Sequence, residues 1–366
     1  MTMRLSSLPY IVKKLILDHL PIHQILFLSL CSKATKNFII RTQKYQLEKI
    51  KCVYYQIHGK TPYIEMRVGS SRCDIVLLQF FMTPLDLIDE ISGYSESDAI
   101  EVVRVNELGG APVDFFRCPT RRSDLYAKYC QCNVESLFES IHNQLYDLIG
   151  HHTKFWLLST STPHSNFLPK LRDLQRIELW GRFETAKLDK LFSVSTTRLE
   201  IFSWYARQQK RVQLEKNSRM YEVDTLYVRP SRSFAADLMK HFNGRHAFLE
   251  CLNIKADNVT QFLKAWKSGE KYRNLEVFKM EKCSNVTKIR RSVEFKELRT
   301  EVDYSFIKKL ESSTIHNKFK SHLYMVRESD GHVASVLLDD TRVFMGVWNL
   351  TEKEFLEKFQ MIDSMK

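Results

Sequence analysis

One pattern constrains the fold of this 366-residue chain more than any other. The pattern apolar-x-x-apolar-x-apolar occurs five times, as LQRIEL, LEIFSW, VDTLYV, LECLNI and LEVFKM. These hexamers start at Leu174, Leu199, Val223, Leu249 and Leu275, so the steps between them are 25, 24, 26 and 26 residues. Helix-compatible runs such as ETAKLDKLF and SFAADLMKHF lie between the hexamers. A fixed period with one strand and one helix per unit predicts a stack of βα units that share one core.

One such hexamer would mean little in a chain with 44% hydrophobic residues, but five at near-constant spacing favour a true repeat. We therefore predict a leucine-rich-repeat-like region in the middle of the chain. The asparagine that usually follows the strand of such a repeat is missing. The residues at that offset are Arg182, Arg207, Ser231, Asp257 and Cys283. The repeats are therefore expected to be imperfect.

The regions on either side of the repeat have other patterns. Apolar residues recur at helical spacing over about 8–45, and VESLFESIHNQLYDLI predicts an amphipathic helix over Val134–Ile149. Between these helices, CVYYQIHGKTPYIEMRV and CDIVLLQFF predict three short strands. Near the C-terminus, Asp330-Gly331 predicts a tight hairpin and RVFMGVW a further strand. Thr351 and Glu354 predict the capping box of a last helix. The fold class is α+β or α/β, with three N-terminal helices, a βα region and flanking antiparallel strands.

No motif typical of catalysis is present. The chain has no phosphate-binding loop, no nucleophile elbow, no H-E-x-x-H and no dinucleotide-binding glycine fingerprint. The pair His151-His152 and the sequence CQC at Cys130–Cys132 do not have the spacing of a zinc site. We expect no catalytic residues, no cofactor and no metal. A third class, an enzyme with an unfamiliar site, would need a pocket lined by several ionisable groups with shifted pKa values.

The cysteines and the N-terminus bear on location. The eight cysteines include no C-x-x-C pair, and the N-terminus lacks the apolar run of a secretion signal. No window of the sequence has the length and hydrophobicity of a membrane span. We expect reduced, buried thiols in a protein of the cytoplasm, the nucleus or both.

The net charge of +12 raises the alternative of a basic, nucleic-acid-associated scaffold without catalytic activity. The basic residues are spread along the chain, and the two densest clusters lie at Ala206–Arg219 and Lys288–Arg299. Neither cluster has the interleaved aromatic residues that stack on bases. The sequence therefore favours solvated basic faces over a nucleic-acid site.

The stretch LPYIVKKLILDHL, at Leu8–Leu20, admits three interpretations. It can be a core helix, a basic amphipathic helix on a membrane, or a face that binds another protein. A segment of about 40 residues cannot bury as many apolar residues as this one carries. Lys13, Lys14 and Tyr10 supply too little of the basic and aromatic character that a membrane helix needs. An exposed apolar patch remains, and such patches mark binding partners.

At these residues the sequence resembles the F-box. The resemblance rests on Leu8-Pro9, Val12, Ile16-Leu17 and Leu20, and it continues through Leu26, Leu28, Ser29, Ser32 and Lys33. It departs from the usual pattern at Ile11, Ile22 and Thr35, where many F-boxes carry an acidic residue, a proline and a tryptophan.

The rest of the chain is similar to a nematode-expanded F-box family with a C-terminal F-box-associated domain. The segments that carry this second resemblance are RIELWG at Arg176–Gly181, FLKAWKSG…NLEVFKM at Phe262–Met280 and DGHVASV…VFMGVWN at Asp330–Asn349. It implies three regions: an F-box at 5–45, a β-rich and helical connecting region at 46–150, and a substrate-binding domain at 151–366.

The two resemblances together imply a non-catalytic substrate adaptor of an SCF-type E3 ubiquitin ligase. The F-box would bind a Skp-type linker and, through it, a cullin, and the C-terminal domain would bind a target protein. The predicted Skp-binding residues are Leu8, Pro9, Val12, Ile16, Leu17, Leu20, Leu26 and Leu28. The predicted substrate-binding residues, from exposed positions of the repeat strands, are Arg176, Glu178, Ser203, Tyr227, Asn253 and Lys279.

Overall fold

The computed structural model divides into two compact units, residues 1–175 and residues 176–366. The structure describes residues 7–57, 63–68, 75–84, 102–108, 111–117, 124–129, 134–160, 168–181, 183–194, 201–205, 215–216, 218–231, 235–309 and 314–363. Cys130–Cys132 lie outside these ranges, as does most of the basic cluster at 206–219.

Unit 1 begins with helices and continues as a sheet. Its helices are α1 (Tyr10–His19), α2 (Ile22–Cys31), α3 (Lys33–Thr42), α4 (Lys44–Leu47) and α5 (Val134–Ile149). Its strands are β1 (Ile50–Ile57), β2 (Tyr63–Val68), β3 (Ile75–Pro84), β4 (Val102–Leu108), β5 (Ala111–Arg117), β6 (Asp124–Tyr129) and β7 (Lys154–Thr160). The strand order in the sheet is β7-β1-β2-β3-β6-β5-β4.

Prolines and one serine set the boundaries of the first helices. Pro9 and Pro21 stand at the N-caps of α1 and α2, where a missing backbone N–H costs nothing. The structure divides the apolar run that follows Pro21 between α2 and α3. The break lies at Ser32, whose extended backbone leaves the helix and whose Oγ accepts a hydrogen bond from the Thr35 N–H at 3.2 Å.

The core of unit 1 lies between the helices and the sheet. The predicted helix over Val134–Ile149 is confirmed, and its apolar stripe from Leu137 to Leu148 is buried. Two of the predicted strands pair as an antiparallel hairpin, and the third pairs with the second. Cys52 is buried as predicted, whereas Cys31 is exposed because it ends α2 at the surface.

Unit 2 alternates strands and helices before it ends in an antiparallel sheet. Its strands are β8 (Arg176–Trp180), β9 (Ile201–Tyr205), β10 (Thr225–Ser231), β11 (His246–Ile254), β12 (Val277–Cys283), β13 (Lys296–Lys309), β14 (Thr314–Val326), β15 (His332–Asp339) and β16 (Arg342–Thr351). Its helices are α6 (Thr185–Val194), α7 (Ala235–His241), α8 (Ala256–Lys267), α9 (Val286–Ser292) and α10 (Glu352–Asp363). The strand order is β13-β14-β15-β16-β12-β11-β10-β9-β8.

Each of the five repeat hexamers overlaps one strand from β8 to β12, and these strands pair in parallel. The register, however, does not follow the sequence period throughout. One row of paired positions joins Glu178, Ser203, Tyr227, Phe248 and Lys279. In β11, the fourth of these strands, the residue in this row is Phe248. The hexamer period had placed Asn253, five residues later, at that position. The loop before β11 is correspondingly shorter than the period implies.

The predicted C-terminal hairpin, strand and capping box are present, but the hairpin turn is longer than the two-residue turn predicted at Asp330-Gly331. Residues 327–331 connect β14 to β15, and of this pair it is Gly331 that has a positive φ, of 75°. Thr351 and Glu354 form the capping box of α10: the Thr351 N–H and hydroxyl both donate to Glu354 Oε2 at 2.8 Å. β13 was not predicted as a strand. Its Tyr304 ring lies directly against Gly346 of β16, so a Cβ at Gly346 would collide with the ring at 2.4 Å.

Candidate functional site

One face of α1 is exposed and apolar. The exposed fractions are 61% for Tyr10, 70% for Ile11, 39% for Val12, 52% for Leu15 and 37% for Ile16. We call Ile11, Val12, Leu15 and Ile16 the α1 stripe. Single exposed apolar residues are normal on a protein surface, but a contiguous group on one helix marks an interaction site.

The α1 stripe points away from the rest of the protein. Leu17 is fully buried and marks the inner side of α1. At about 100° per residue, the four stripe residues span an arc of about 140° centred opposite Leu17. They therefore cannot reach the core of unit 1 without a rotation of the whole helix.

Three contacts fix the orientation of α1. The Tyr10 ring meets the Phe38 ring of α3 edge to face, with centroids 5.6 Å apart. The Gln43 side chain donates from Nε2 to Asp18 Oδ1 at 2.6 Å, and Gln43 itself is buried. The third contact is made by the Leu17 side chain, which is fully buried. The outward position of the stripe is thus a property of the packed fold and not of a loose helix end.

An ion pair between the nearly buried Lys36 and the half-exposed Asp147 joins α3 to α5. Lys36 Nζ lies 2.7 Å from Gln144 Oε1 and 3.2 Å from Asp147 Oδ2, and the Lys36 side chain is only 10% exposed. Asp147 also accepts a hydrogen bond from Arg172 at 2.9 Å. The first helices are therefore attached to α5 through a charged contact.

The predicted Skp-binding residues divide into two groups. Pro9, Val12 and Ile16 are exposed. Leu8, Leu20 and Leu28 are partly buried. Leu17 and Leu26 are fully buried, which leaves them no surface for a partner in this conformation. As binding residues, all eight stay predictions.

The predicted Skp-binding set did not include Tyr10, Ile11 and Leu15, which the structure exposes. Sequence reasoning counted Ile11 and Leu15 in the apolar stretch Leu8–Leu20 but did not assign them to the binding face. A helical projection with Leu17 as the inner side would have found Ile11 and Leu15, because both lie within the arc opposite it.

The N-terminal region matches a known domain. Residues 5–47 match the F-box domain family. The chain carries an F-box domain. The match contains α1, α2, α3 and α4 and therefore the whole α1 stripe. The curated proteins and the solved structures contain no match to the chain.

F-box domains in general bind Skp-type adaptors, which link them to a cullin, and F-box proteins in general are non-catalytic substrate adaptors of SCF-type ligases. The exposed apolar face of α1 is the kind of surface that such binding requires, since obligate interfaces bury apolar side chains at their centres.

The predicted substrate-binding residues lie on the parallel strands of unit 2. Glu178, Ser203, Tyr227 and Lys279 share the register row described above, whereas Asn253 lies near the end of β11. Arg176 and Glu178 form an ion pair with each other. Lys279 lies 2.7 Å from Glu281, and its Nζ lies 5.1 Å from the centre of the Phe344 ring.

Part of this strand face is covered. Phe248, in the same row, is 4% exposed and packs in a cluster with Tyr304, Phe319 and Phe344. Tyr304 and Phe319 come from β13 and β14, so the antiparallel hairpin closes the surface over β11 and β12. The repeat pattern alone predicts an open strand face and gives no sign of this cover.

Two searches of the described residues gave negative results. They contain no group of three or more histidine, cysteine, aspartate or glutamate side chains that could hold a metal ion. Among the same residues, no helix is long and apolar enough to cross a membrane.

Proposed function

We propose that this protein is a substrate-recognition adaptor of an SCF-type E3 ubiquitin ligase. In this proposal the F-box domain binds a Skp-type linker through the α1 stripe, and the C-terminal region binds a target protein. The observation that carries the proposal is the F-box match at residues 5–47 combined with the outward apolar face of α1.

The α1 stripe can supply the free energy for docking. Complete burial of an exposed aliphatic side chain contributes about 1.5–3 kcal/mol. The stripe residues are already partly covered, so each adds less than this range, and association has its own entropic cost. Four such side chains together still support a stable interface. Leu8, Pro9, Leu20 and Leu28 would form its margin, and Leu17 and Leu26 would hold the helices that present it.

The adaptor would act through proximity. A target held on the C-terminal region brings its lysines close to the ubiquitin thioester of the assembled ligase, and tethering raises their effective concentration there. No catalytic side chain of this chain is required, and no cofactor.

The proposal extends to the C-terminal region. We infer a leucine-rich-repeat-like, F-box-associated domain of the nematode-expanded kind over 151–366, joined to the F-box at 5–45 by a connecting region at 46–150. The alternation of parallel strands and helices from β8 to β12 supports the repeat. Action in the cytoplasm, the nucleus or both belongs to the same proposal.

The test is a binding measurement with a purified Skp-type subunit. The variant carries Val12→Asp and Ile16→Asp, which place two charges within the α1 stripe. Since a desolvated, unpaired carboxylate is costly, we expect affinity to fall more than tenfold. Calorimetric titration of both proteins gives the two dissociation constants.

Tyr45→Asp is the matched control. Tyr45 is 74% exposed and lies on α4 of the same domain, so it receives the same chemical change outside the stripe. We expect this control to bind like the wild type. Equal binding by all three proteins, with unchanged circular dichroism spectra, would show that the stripe is not the docking face.

A further inference from the structure

A groove crosses the ends of four neighbouring strands of unit 2. Its volume is about 700 Å³. The parallel strands β10, β11 and β12 begin at this edge, and the antiparallel strand β16 ends there. Apolar side chains of Leu275, Tyr304, Val347 and Trp348 contribute to its lining, and the first two are buried. Polar and charged residues make up the rest of the lining.

The strand register arranges these polar residues in order. Thr225, His246, Val277 and Gly346 are successive partners across the four strands. Glu222, Asn243 and Asn274 lie three residues before the first residues of β10, β11 and β12, and Asn349 lies three residues after Gly346 in β16. This acidic residue and the three amides all line the groove, and all four are exposed.

The amides are available for binding. Within the described residues, the side chains of Asn243 and Asn274 have no hydrogen-bond partner. The Asn349 Oδ1 accepts from His332 Nε2 at 3.1 Å, which leaves its NH₂ group to donate. A side-chain amide can both donate and accept, and this is what the N–H and C=O groups of an extended peptide require.

The groove is also electrically polarised along its length. Glu222 and Asp224 precede β10, and Glu276, directly before β12, reaches back to Arg245 before β11. These three carboxylates outnumber the Arg245 guanidinium, which pairs with Asp224 and Glu276. Among the described residues, Glu222 has no basic partner.

At the other end the excess is positive. Arg327 is buried and pairs with Asp330 at 2.7 Å, and its NH1 donates to the Arg273 carbonyl oxygen at 3.0 Å. Arg273 itself is exposed, and it donates from Nε to the Gly269 carbonyl oxygen at 3.0 Å. Within the part of the chain that the structure describes, this guanidinium has no acidic partner.

The distance between the two ends fits a short peptide. Glu222 precedes β10 and Arg273 precedes β12, so two strand steps of about 4.8 Å, about 10 Å in all, separate their backbones. An extended chain advances about 3.3 Å per residue, so two peptide residues three positions apart cover this distance.

We propose that this groove binds an extended peptide segment that carries a lysine or arginine and, three or four residues away, an aspartate or glutamate. Glu222 pairs with the basic side chain, Arg273 pairs with the acidic one, and the asparagine amides bind the main chain between them. The identification of this segment as part of a ligase target rests on the proposed adaptor function.

The experiment is a fluorescence anisotropy titration of the full 366-residue chain with four labelled pentapeptides. Each peptide has uncharged, capped ends and a central tyrosine, and the two end residues are lysine and glutamate in all four combinations. We expect one of the two mixed peptides to bind roughly fivefold more tightly than the doubly basic and the doubly acidic peptide, the ratio expected for one exposed ion pair.

Charge reversal gives the decisive comparison. Glu222→Lys should move the preference to the doubly acidic peptide, and Arg273→Glu should move it to the doubly basic peptide. Asn274→Ala should lower the affinity for all four peptides by a similar factor, because it removes a contact with the main chain of the peptide. All three residues are exposed, and thermal unfolding checks that each variant is folded.

Three results would overturn the proposal: no binding of any pentapeptide at millimolar concentration, equal binding of all four, or a preference that neither charge reversal changes. The titration of the Skp-type subunit with the Glu222 and Arg273 variants separates this proposal from the adaptor function. Both variants should bind the subunit like the wild type, since their substitutions lie outside the F-box domain.

Discussion

His142 is a residue whose charge the fold excludes. It is buried in α5 between Tyr55 of β1 and the backbone at Arg172. Because its Nε2–H donates to the Arg172 carbonyl oxygen at 2.9 Å, its Nδ1 accepts from the Tyr55 hydroxyl, also at 2.9 Å. Burial lowers the pKa of His142 to about 4, although the hydrogen bond to the Arg172 carbonyl acts in the opposite direction.

The first prediction concerns stability against acid. The unfolded state takes up a proton near pH 6.5 and the folded state only near pH 4, so the free energy of unfolding falls as the pH falls through this interval. Between pH 7 and pH 5 His142 accounts for a loss of about 2 kcal/mol, at about 1.4 kcal/mol per pH unit below 6.5.

Urea unfolding at the two pH values, for the wild type and for His142→Gln, measures this loss. The variant is expected to be less stable at pH 7, because it loses the shape of the ring and a hydrogen bond, but less sensitive to pH. The difference between the two proteins isolates His142 from the carboxylates that titrate in the same range. An equal loss in both proteins would contradict the assignment.

At the scale of elements, α3 depends on α5 through Lys36. The Lys36 ammonium lies within hydrogen-bonding distance of Gln144 and Asp147 in a nearly buried position. Without the ammonium, Asp147 remains half exposed to solvent and bonded to Arg172, so the main loss is the hydrogen bond to Gln144. We expect Lys36→Ala to lower the free energy of unfolding by about 0.5–1.5 kcal/mol.

A double-mutant cycle measures the coupling. Asp147→Asn and the double variant complete the cycle, and urea unfolding of the four proteins gives the interaction energy between α3 and α5. The Arg172–Asp147 ion pair is lost in both proteins with Asn at position 147, so its loss cancels in the cycle. A coupling energy near zero would mean that the Lys36–Asp147 pair does not stabilise the packing of α3 on α5.

Elements with local signals could be predicted from sequence. The helix over Val134–Ile149 follows from its spacing of apolar residues, the turn at Asp330-Gly331 from its need for a positive φ, and the capping box from Thr351 and Glu354. Each of these signals lies within about four residues along the chain, and the physical cause acts over the same distance.

Features that depend on distant residues could not be predicted. The hexamer period placed Asn253 beside Lys279, but pairing across the sheet places Phe248 there, because strand register is decided by neighbours and not by the period. The contact of the Tyr304 ring with Gly346 joins β13 to β16, and no local sequence pattern around either residue predicts it. The groove also depends on distant residues, since its lining comes from β13, β15 and β16 and from the segments that precede β10, β11, β12 and β15.

At the scale of the whole molecule, the net charge of +12 and the α1 stripe lead to opposite expectations about salt. The basic cluster at Lys288–Arg299 is largely neutralised within the fold. Lys288 pairs with Asp257 at 2.7 Å, Arg290 with Glu297 at 3.3 Å and Lys296 with Glu352 at 2.7 Å. Paired, scattered charges do not form the continuous basic surface that follows a phosphate backbone.

The last prediction compares two partners at two salt concentrations. Docking through apolar side chains does not release counterions, so affinity for a Skp-type subunit should change less than about threefold between 50 and 200 mM salt. Binding to nucleic acid through six or more phosphate contacts would fall about a thousandfold or more over the same range. Anisotropy titrations with the labelled subunit and with a labelled DNA duplex measure both slopes. Tight duplex binding at 50 mM salt that falls about a thousandfold by 200 mM, with no measurable affinity for the subunit at either concentration, would favour the nucleic-acid scaffold over the adaptor.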